Sequence, residues 1–312
     1  MFYVATLISR PDRPAVTEDL AQKAARYLPH GRPLGWLDPG VAMDIPFLID
    51  DAEDDVPDDG KNDALLRDIT GDLRDIIGGE PVDIVIQPHQ GRRKKLLIAD
   101  MDSTMIGQEC IDELADYAGL KNRVAAITER AMRGEIAFEP ALRERVALLK
   151  GLPATVIDTV IDERIRLTPG GPVLVATMRA NGAYTCLVSG GFTAFTSRIA
   201  AMIGFDEQHA NRLSIDAVGK LTGEVIEPIL GREAKLDMLT RLRVHLRLGR
   251  GDTLAVGDGA NDIPMIEAAG LGVAFHGKPA VKEVATARID HGDLTALLYA
   301  QGYRRDEFVA GE

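Results

Sequence analysis

The run Leu96-Leu97-Ile98-Ala99-Asp100-Met101-Asp102-Ser103-Thr104 decides the fold. Its four apolar residues read as a short strand buried on both faces, and two carboxylates leave the strand tip together. In a doubly wound sheet the carboxyl ends of the strands form the ligand crevice, so Asp100 and Asp102 project where a substrate binds. An Asp-x-Asp pair alone carries little weight, because surface aspartates that cap loops are common. A second acidic cluster ends another apolar run, Leu254-Ala255-Val256-Gly257-Asp258-Gly259-Ala260-Asn261-Asp262. Its glycines let the backbone turn sharply beside a ligand, and Asp258 and Asp262 reach toward the first pair. Converging carboxylates without a cationic partner raise each other's pKa values unless a hard cation fills the gap, and all-oxygen donors suit Mg²⁺. The spacing Gly257-x-Gly259-x-x-Asp262 is no dinucleotide fingerprint, because the third glycine is absent.

The chain after Thr168-Pro169-Gly170-Gly171 alternates strand and helix. A helix is expected over Val173–Ala180, a strand over Tyr184–Val188, a helix from Phe192, and strands over Thr253–Val256 and Leu271–Ala274. This predicts an α/β doubly wound parallel sheet. From Gly107 to about Leu167 apolar residues recur at helical spacing (Ile111, Leu114, Ala118; Leu142, Val146, Leu149), which predicts a small helical bundle. Before Arg92 the runs Phe2–Ile8, around Trp36, Ile45–Ile49 and Val82–Ile86 alternate with helical patterns at Glu18–Tyr27 and Ala64–Ile77. The order β-α-β-β-α-β is that of a ferredoxin-like α+β domain and sets up an ACT-like regulatory module over 1–91. The core is expected over 92–106 and 169–312, with 107–168 inserted as a helical cap. Within Asp50–Gly60, Asp51, Glu53 and Asp55 imitate a calcium loop, but Val56 stands where that loop needs glycine, so an acidic solvated loop is the reading. The basic run Arg92–Lys95 reads as a surface junction.

Composition bounds the function. A chain of 312 residues, 46% hydrophobic and 27% charged, suits a soluble protein of two or three domains. No apolar run approaches the roughly 18 residues of a membrane span, and Met1–Arg10 lacks a secretory signal, so a cytoplasmic location is expected by default. Cys110 and Cys186 offer neither a disulfide framework nor zinc spacing and read as small buried hydrophobes. The net charge of −12 argues against coating nucleic acid or anionic membrane. Residues 1–91 hold 8 basic against 18 acidic side chains and so carry most of that excess, which leaves the remainder open to an anionic substrate.

Two further pieces fit a phosphate. Ser189-Gly190-Gly191 follows the strand at Tyr184–Val188 and precedes a helix, which brings a hydroxyl and backbone N–H groups to an anion. Lys235 opens a helical stretch and supplies a charge able to hold both phosphate and a nucleophilic carboxylate. Singly these are a turn and a solvated lysine; four such motifs in this order, three at strand ends, are far less expected by chance.

Together these residues resemble the haloacid dehalogenase superfamily of aspartyl-phosphate enzymes, and within it the phosphoserine phosphatases. The resemblance covers roughly 92–298. It rests on Asp100–Thr104, Glu109, Met132-Arg133-Gly134 with Phe138, Leu142–Val146, Val188–Phe192, Ala210–Leu213, Lys220–Gly223, Lys235 and Gly257–Asp262. The N-terminal 91 residues lie outside it.

The resemblance implies Asp100 as the nucleophile that becomes an aspartyl-phosphate, and Asp102 as the general acid and base. It implies Mg²⁺ held by the Asp100 carboxylate, the Asp102 carbonyl and Asp258, with Asp262 orienting them and Asn261 near substrate. Ser189, the Gly190 N–H and Lys235 would offset charge on the phosphoryl group. Over the crevice, Glu109 and Arg145 would take the ammonium and carboxylate of a phosphorylated amino acid, with Met132 and Phe138 as walls. The expected reaction is Mg²⁺-dependent hydrolysis of phosphoserine, the last step of serine synthesis. The rivals are phosphoryl transfer to an alcohol such as homoserine, or a serine sensor acting through the N-terminal module. An ACT-like module also hints at a homodimer.

Overall fold

The computed structural model describes residues 2–31, 35–49, 63–132 and 135–311. The expected acidic loop Asp50–Gly60, Arg133, Gly134 and the Met132 side chain lie outside the described residues.

The N-terminal part runs β1 (Phe2–Ile8), α1 (Glu18–Tyr27), β2 (Gly35–Asp38), β3 (Ala42–Leu48), α2 (Asp63–Ile77) and β4 (Asp83–Pro88). Its antiparallel sheet has the order β2-β3-β1-β4, the ferredoxin-like arrangement. Helix α1 starts where Thr17 accepts the Leu20 N–H at 3.1 Å, with Glu18 and Asp19 in the turn that favours acids. Its Leu20, Ala21 and Ala24, with Ile69 and Leu73 of α2, cover the face bearing Tyr3, Ala5, Leu7, Ile45 and Phe47.

The opposite face is not solvated. Ile8, Ala42 and Val85 join the core of the second part, against Leu297, Leu298 and Tyr299. Both faces being covered, β1 is buried from its second residue onward. Asp44 explains why the sequence places β3 too late, at Ile45–Ile49: a carboxylate in mid-strand reads as a strand end, yet Asp44 is buried against Arg92. That guanidinium donates to Asp44 Oδ2 at 2.5 Å and Oδ1 at 2.9 Å, to Thr6 Oγ1 at 2.9 Å, and to the Ala300 carbonyl at 3.1 Å. The surface junction expected at Arg92–Lys95 is therefore corrected. Arg92 and Lys94 point inward at 8% exposure each, because their charged ends find carboxylate or carbonyl oxygens there.

The second part continues β5 (Leu96–Ala99), α3 (Cys110–Tyr117), α4 (Lys121–Met132), α5 (Phe138–Ala147), α6 (Val156–Arg164), α7 (Gly171–Ala180), β6 (Tyr184–Phe192), α8 (Thr193–Ile203), β7 (Glu207–Ile215), β8 (Leu221–Ile226), α9 (Glu233–His245), β9 (Thr253–Gly257), α10 (Ile263–Ala268), β10 (Leu271–Phe275), α11 (Pro279–Val284), β11 (Ala287–Ile289) and α12 (Ala296–Ala300). The sheet order is β11-β10-β9-β5-β6-β7-β8, parallel except for the β7–β8 pair. Period-two alternation divides β5 between two helical layers. Leu96 and Ile98 pack with Leu239, Met265 and Val281, whereas Leu97 and Ala99 pack with Leu174, Phe195 and Leu297. Cys110 and Cys186 are buried free thiols.

Helices α3–α6 leave and rejoin the sheet side by side: Ile106 pairs with Leu167, and the Gly107 N–H donates to the Arg166 carbonyl at 3.1 Å. One expectation shifts. Strand β6 runs on to Phe192, with its register broken after Val188, so Ser189–Gly191 lie in outgoing strand and α8 begins only at Thr193.

Candidate active site

Because β5, β6 and β9 are parallel neighbours, their carboxyl ends open on one edge, and the three motifs meet there. The Asp100 N–H donates to the Val256 carbonyl at 3.0 Å, which extends the β5–β9 ladder by one rung and aims the carboxylate off the tip. The chain then makes a wide turn over Met101–Met105. It closes through the Ile106 N–H on the Met101 carbonyl at 3.0 Å, with Ser103 in left-handed conformation at φ 54°. That turn directs Asp102 toward β6. Asp102 Oδ1 accepts the Cys110 N–H at 2.8 Å, and Oδ2 accepts the Ser189 hydroxyl at 3.1 Å. The Gly191 N–H in turn donates to Ser189 Oγ at 2.8 Å.

Lys235 comes from α9 and is 2% exposed. Its Nζ lies 2.6 Å from Asp100 Oδ1 and 2.5 Å from Asp262 Oδ1. Burial alone would lower this ammonium's pKa, but the Asp100 and Asp262 carboxylates outweigh it and hold the lysine above its ordinary range. Asp262 Oδ2 also accepts the N–H groups of Asp258 at 3.1 Å and Gly259 at 3.0 Å, which shapes the loop that presents Asp258.

Asp100, Asp258 and Asp262 place carboxylate oxygens within 4.8 Å of one another. Burial first, and Asp262 second, push the Asp100 carboxyl well above the usual carboxylate range. Lys235 only partly compensates. The cluster is therefore an acidic, oxygen-only set with an uncompensated negative charge, and a divalent cation among Asp100, Asp258 and the neighbouring backbone carbonyl fits it.

A cavity of about 730 Å³ extends from these acids to the inserted helices and is lined by Asp100, Asp102, Glu109, Phe138, Arg145, Gly190, Asp258 and Asn261 among others. Glu109 accepts the Ser103 hydroxyl at 2.8 Å, and burial with Asp102 nearby lifts its pKa to about 7. Arg145 touches the Ala141 carbonyl at 3.3 Å and Thr128 Oγ1 at 3.5 Å, and no carboxylate among the described residues forms an ion pair with it. Its guanidinium fork remains available to a ligand. Phe138 closes over the glycine pair: a methyl group on Gly190 would sit 3.4 Å from its ring.

Of the residues singled out from the sequence, Asp100, Asp102, Glu109, Phe138, Arg145, Ser189, Gly190, Lys235, Asp258, Asn261 and Asp262 all converge on this cavity or its floor. Lys278 was missed. It lines the cavity, and its Nζ is 3.2 Å from Asp258 Oδ2. Its signal was position, since it follows the expected strand at Leu271–Ala274 and so lies on the same sheet edge. Asn211, quoted only as part of a segment, donates to the Gly190 carbonyl at 2.9 Å and to the Leu230 carbonyl at 3.2 Å, which holds that turn in place.

The family model of haloacid dehalogenase-like hydrolases matches residues 97–267, which span the site residues from Asp100 to Asp262 but not Lys278. The chain belongs to the haloacid dehalogenase-like hydrolase family. Among similar members, a phosphoserine phosphatase from Albidiferax ferrireducens is 46% identical over 209 residues, 65% of this chain and 88% of that protein. The chain spans 57–63% of the length of three other curated phosphoserine phosphatases. A solved structure described as a phospho-aspartyl intermediate analogue of phosphoserine phosphatase is 41% identical, with a TM-score of 0.61, over 66% of this chain and 98% of that one. A HAD family hydrolase from Salmonella enterica serovar Typhi is 29% identical with a TM-score of 0.78, and covers 98% of this chain and 99% of its own. That likeness includes the N-terminal sheet. The family model and these named relatives make this hydrolase a phosphatase. Among the described residues, no helix is long and apolar enough to cross a membrane.

Proposed function

We propose that this phosphatase hydrolyses O-phospho-L-serine to serine and phosphate through a phosphorylated Asp100, with Mg²⁺ as its cofactor. One observation carries the reading: a single cavity holds Asp100 and Asp102 at one end, Asp102 accepting the Ser189 hydroxyl, and Glu109 and an unpaired Arg145 further up. A phosphate ester needs the first pair, and an amino acid's ammonium and carboxylate need the second.

With one oxygen of Asp100 held by Lys235 and the Met101 N–H, its other oxygen attacks phosphorus as the P–O bond to serine breaks. Asp102, whose pKa burial raises, delivers a proton to the departing serine oxygen. In the second half Asp102 takes the proton back from a water that attacks phosphorus, and the aspartyl P–O bond breaks. Asp100, Asp258 and the Asp102 carbonyl would hold Mg²⁺, which supplies positive charge to the phosphoryl oxygens. Ser189 and the Gly190 N–H add neutral donors. Residues 107–168 act as the cap that shields this exchange from bulk water, on a core of 92–106 and 169–312, and residues 1–91 form the regulatory module.

The test is phosphate release from L-phosphoserine and from phosphoethanolamine, which lacks the carboxylate. Arg145→Ala should reduce kcat/KM for phosphoserine by about 10²-fold or more, the ~3 kcal/mol of a buried charge-assisted pair, and leave phosphoethanolamine nearly unchanged. Equal losses on both substrates would refute the assignment of Arg145. Ordinary turnover by Asp100→Asn would refute the phosphoenzyme.

A further inference from the structure

A second cavity, sharing no lining residue with the first, lies where α2 and β4 meet α11 and β11. Its volume is about 100 Å³, and Arg67, Thr70, Arg74, Thr286, Arg288 and the exposed Glu283 line it. Three guanidinium groups thus share one small crevice in a chain of net charge −12. Arg67 and Arg74 have no hydrogen-bond or ion-pair partner among the described residues, although Arg74 is half-buried. Arg288 donates only its Nε, to the Lys282 carbonyl at 2.7 Å, so its terminal NH₂ groups are free of protein acceptors.

Of the nearby carboxylates, Glu283 is exposed to solvent, and Asp83 and Asp290 are already engaged. Asp83 accepts the N–H groups of Asp290 at 2.7 Å, His291 at 3.1 Å and Gly292 at 2.7 Å. Asp290 pairs with Lys282 Nζ at 2.5 Å. Burial first, and the charge of Arg288 second, lower the pKa of Arg74, so the unpaired cation is disfavoured where it stands. Arg74, half-buried beside a second cation, forms no ion pair with a carboxylate among the described residues, and the two forks with the Thr286 hydroxyl offer donors to one ligand, the Thr70 hydroxyl being spent on the Leu66 carbonyl at 2.6 Å.

We propose that this crevice is a binding site for a free tetrahedral oxyanion of the phosphate or sulfate class, held between Arg74 of the N-terminal sheet domain and Arg288 of the catalytic sheet. The occupant ties α2 to β11 and to α11, the helix that opens next to Lys278.

Sulfate, which the enzyme cannot turn over, is the probe. Equilibrium dialysis of the full chain with radiolabelled sulfate at constant ionic strength should give one more bound ion per chain for the wild type than for Arg74→Gln/Arg288→Gln. That variant should retain its far-ultraviolet dichroism and its phosphoserine turnover, since neither residue touches the catalytic cavity. Equal stoichiometry and affinity in the two proteins would overturn the proposal. If the double variant does not fold, Arg74→Lys serves instead: the lost fork should weaken crevice binding at least several-fold, and unchanged affinity overturns the site. Acetate displacing the crevice ion as well as phosphate does would assign the site to carboxylates, and the tetrahedral class would then be wrong.

Discussion

Replacing Gly257 with alanine puts a methyl carbon 2.3 Å from Asp262 Cγ, 2.4 Å from its Oδ2 and 2.7 Å from its Cβ. The clash is with one side chain, and that side chain is fully buried, so it has nowhere to rotate without leaving its partners. Restoring ordinary contact moves the carboxylate by about an ångström, since overpacked sites relax by such shifts. Overpacking costs about 1–3 kcal/mol, and weakening the charge-assisted bonds from the Asp258 and Gly259 N–H groups adds roughly 2 kcal/mol. A total of about 3–5 kcal/mol should lower the thermal midpoint by roughly 10 °C. The same shift withdraws one of the two carboxylate acceptors of Lys235 and reshapes the Asp258 loop. Phosphate release from phosphoserine should fall by about 10²-fold in kcat, the scale of a misplaced catalytic group. Differential scanning calorimetry and a steady-state phosphate assay read the two effects. Gly251→Ala is the control, because nothing lies within 4 Å of its added methyl. A Gly257→Ala protein with wild-type midpoint and turnover would refute the claim that Asp262 is held rigidly under β9.

Arg92→Met should destabilise the chain by about 3–5 kcal/mol in urea unfolding, because it leaves Asp44 buried without its counter-charge; adding Asp44→Asn should recover part of the loss. Lys94, whose Nζ donates to the Gly91 and Gly251 carbonyls, has its pKa lowered by burial to about 8. An unfolded chain keeps that proton up to its ordinary value near 10.5, so between pH 8 and 10.5 the unfolded state binds more protons and stability rises with pH. The wild type should gain about 2 kcal/mol relative to Lys94→Met from pH 8 to 10, and parallel pH profiles would contradict the burial argument. Gly71→Ala in α2 meets no atom within 4 Å and should stabilise the N-terminal domain by about 0.5–1 kcal/mol, measurable as a higher urea midpoint.

Much of the scaffold is legible locally. Strand β1 and helix α1 have the bounds that periodicity predicts, since an apolar run and a capped amphipathic stretch carry their own ends. Where a residue's partner lies far off in the chain, local reading misplaces it. Asp44 looks like a strand breaker until Arg92, 48 residues later, neutralises it. Ser189–Gly191 look like a helix entrance, whereas the glycines continue β6 as far as Phe192, which pairs with Asn211. Lys278 belongs to no motif and is seen only once β10 is set beside β9.

Apart from the guanidinium of Arg145, to which only the resemblance to known phosphatases pointed, the amino-acid order alone determined which carboxylates stand at strand tips, that the strands run parallel, and which hydroxyl and lysine accompany them. It did so because period, apolar run length and turn residues are local properties of the chain. Only the tertiary structure decided which oxygen of Asp100 takes Lys235, that Asp262 serves as a brace, that Arg145 stays unpaired, and that Arg74 faces Arg288. Those outcomes depend on strand order, register and burial, which bring together groups tens to hundreds of residues apart and set the local dielectric in which their charges act.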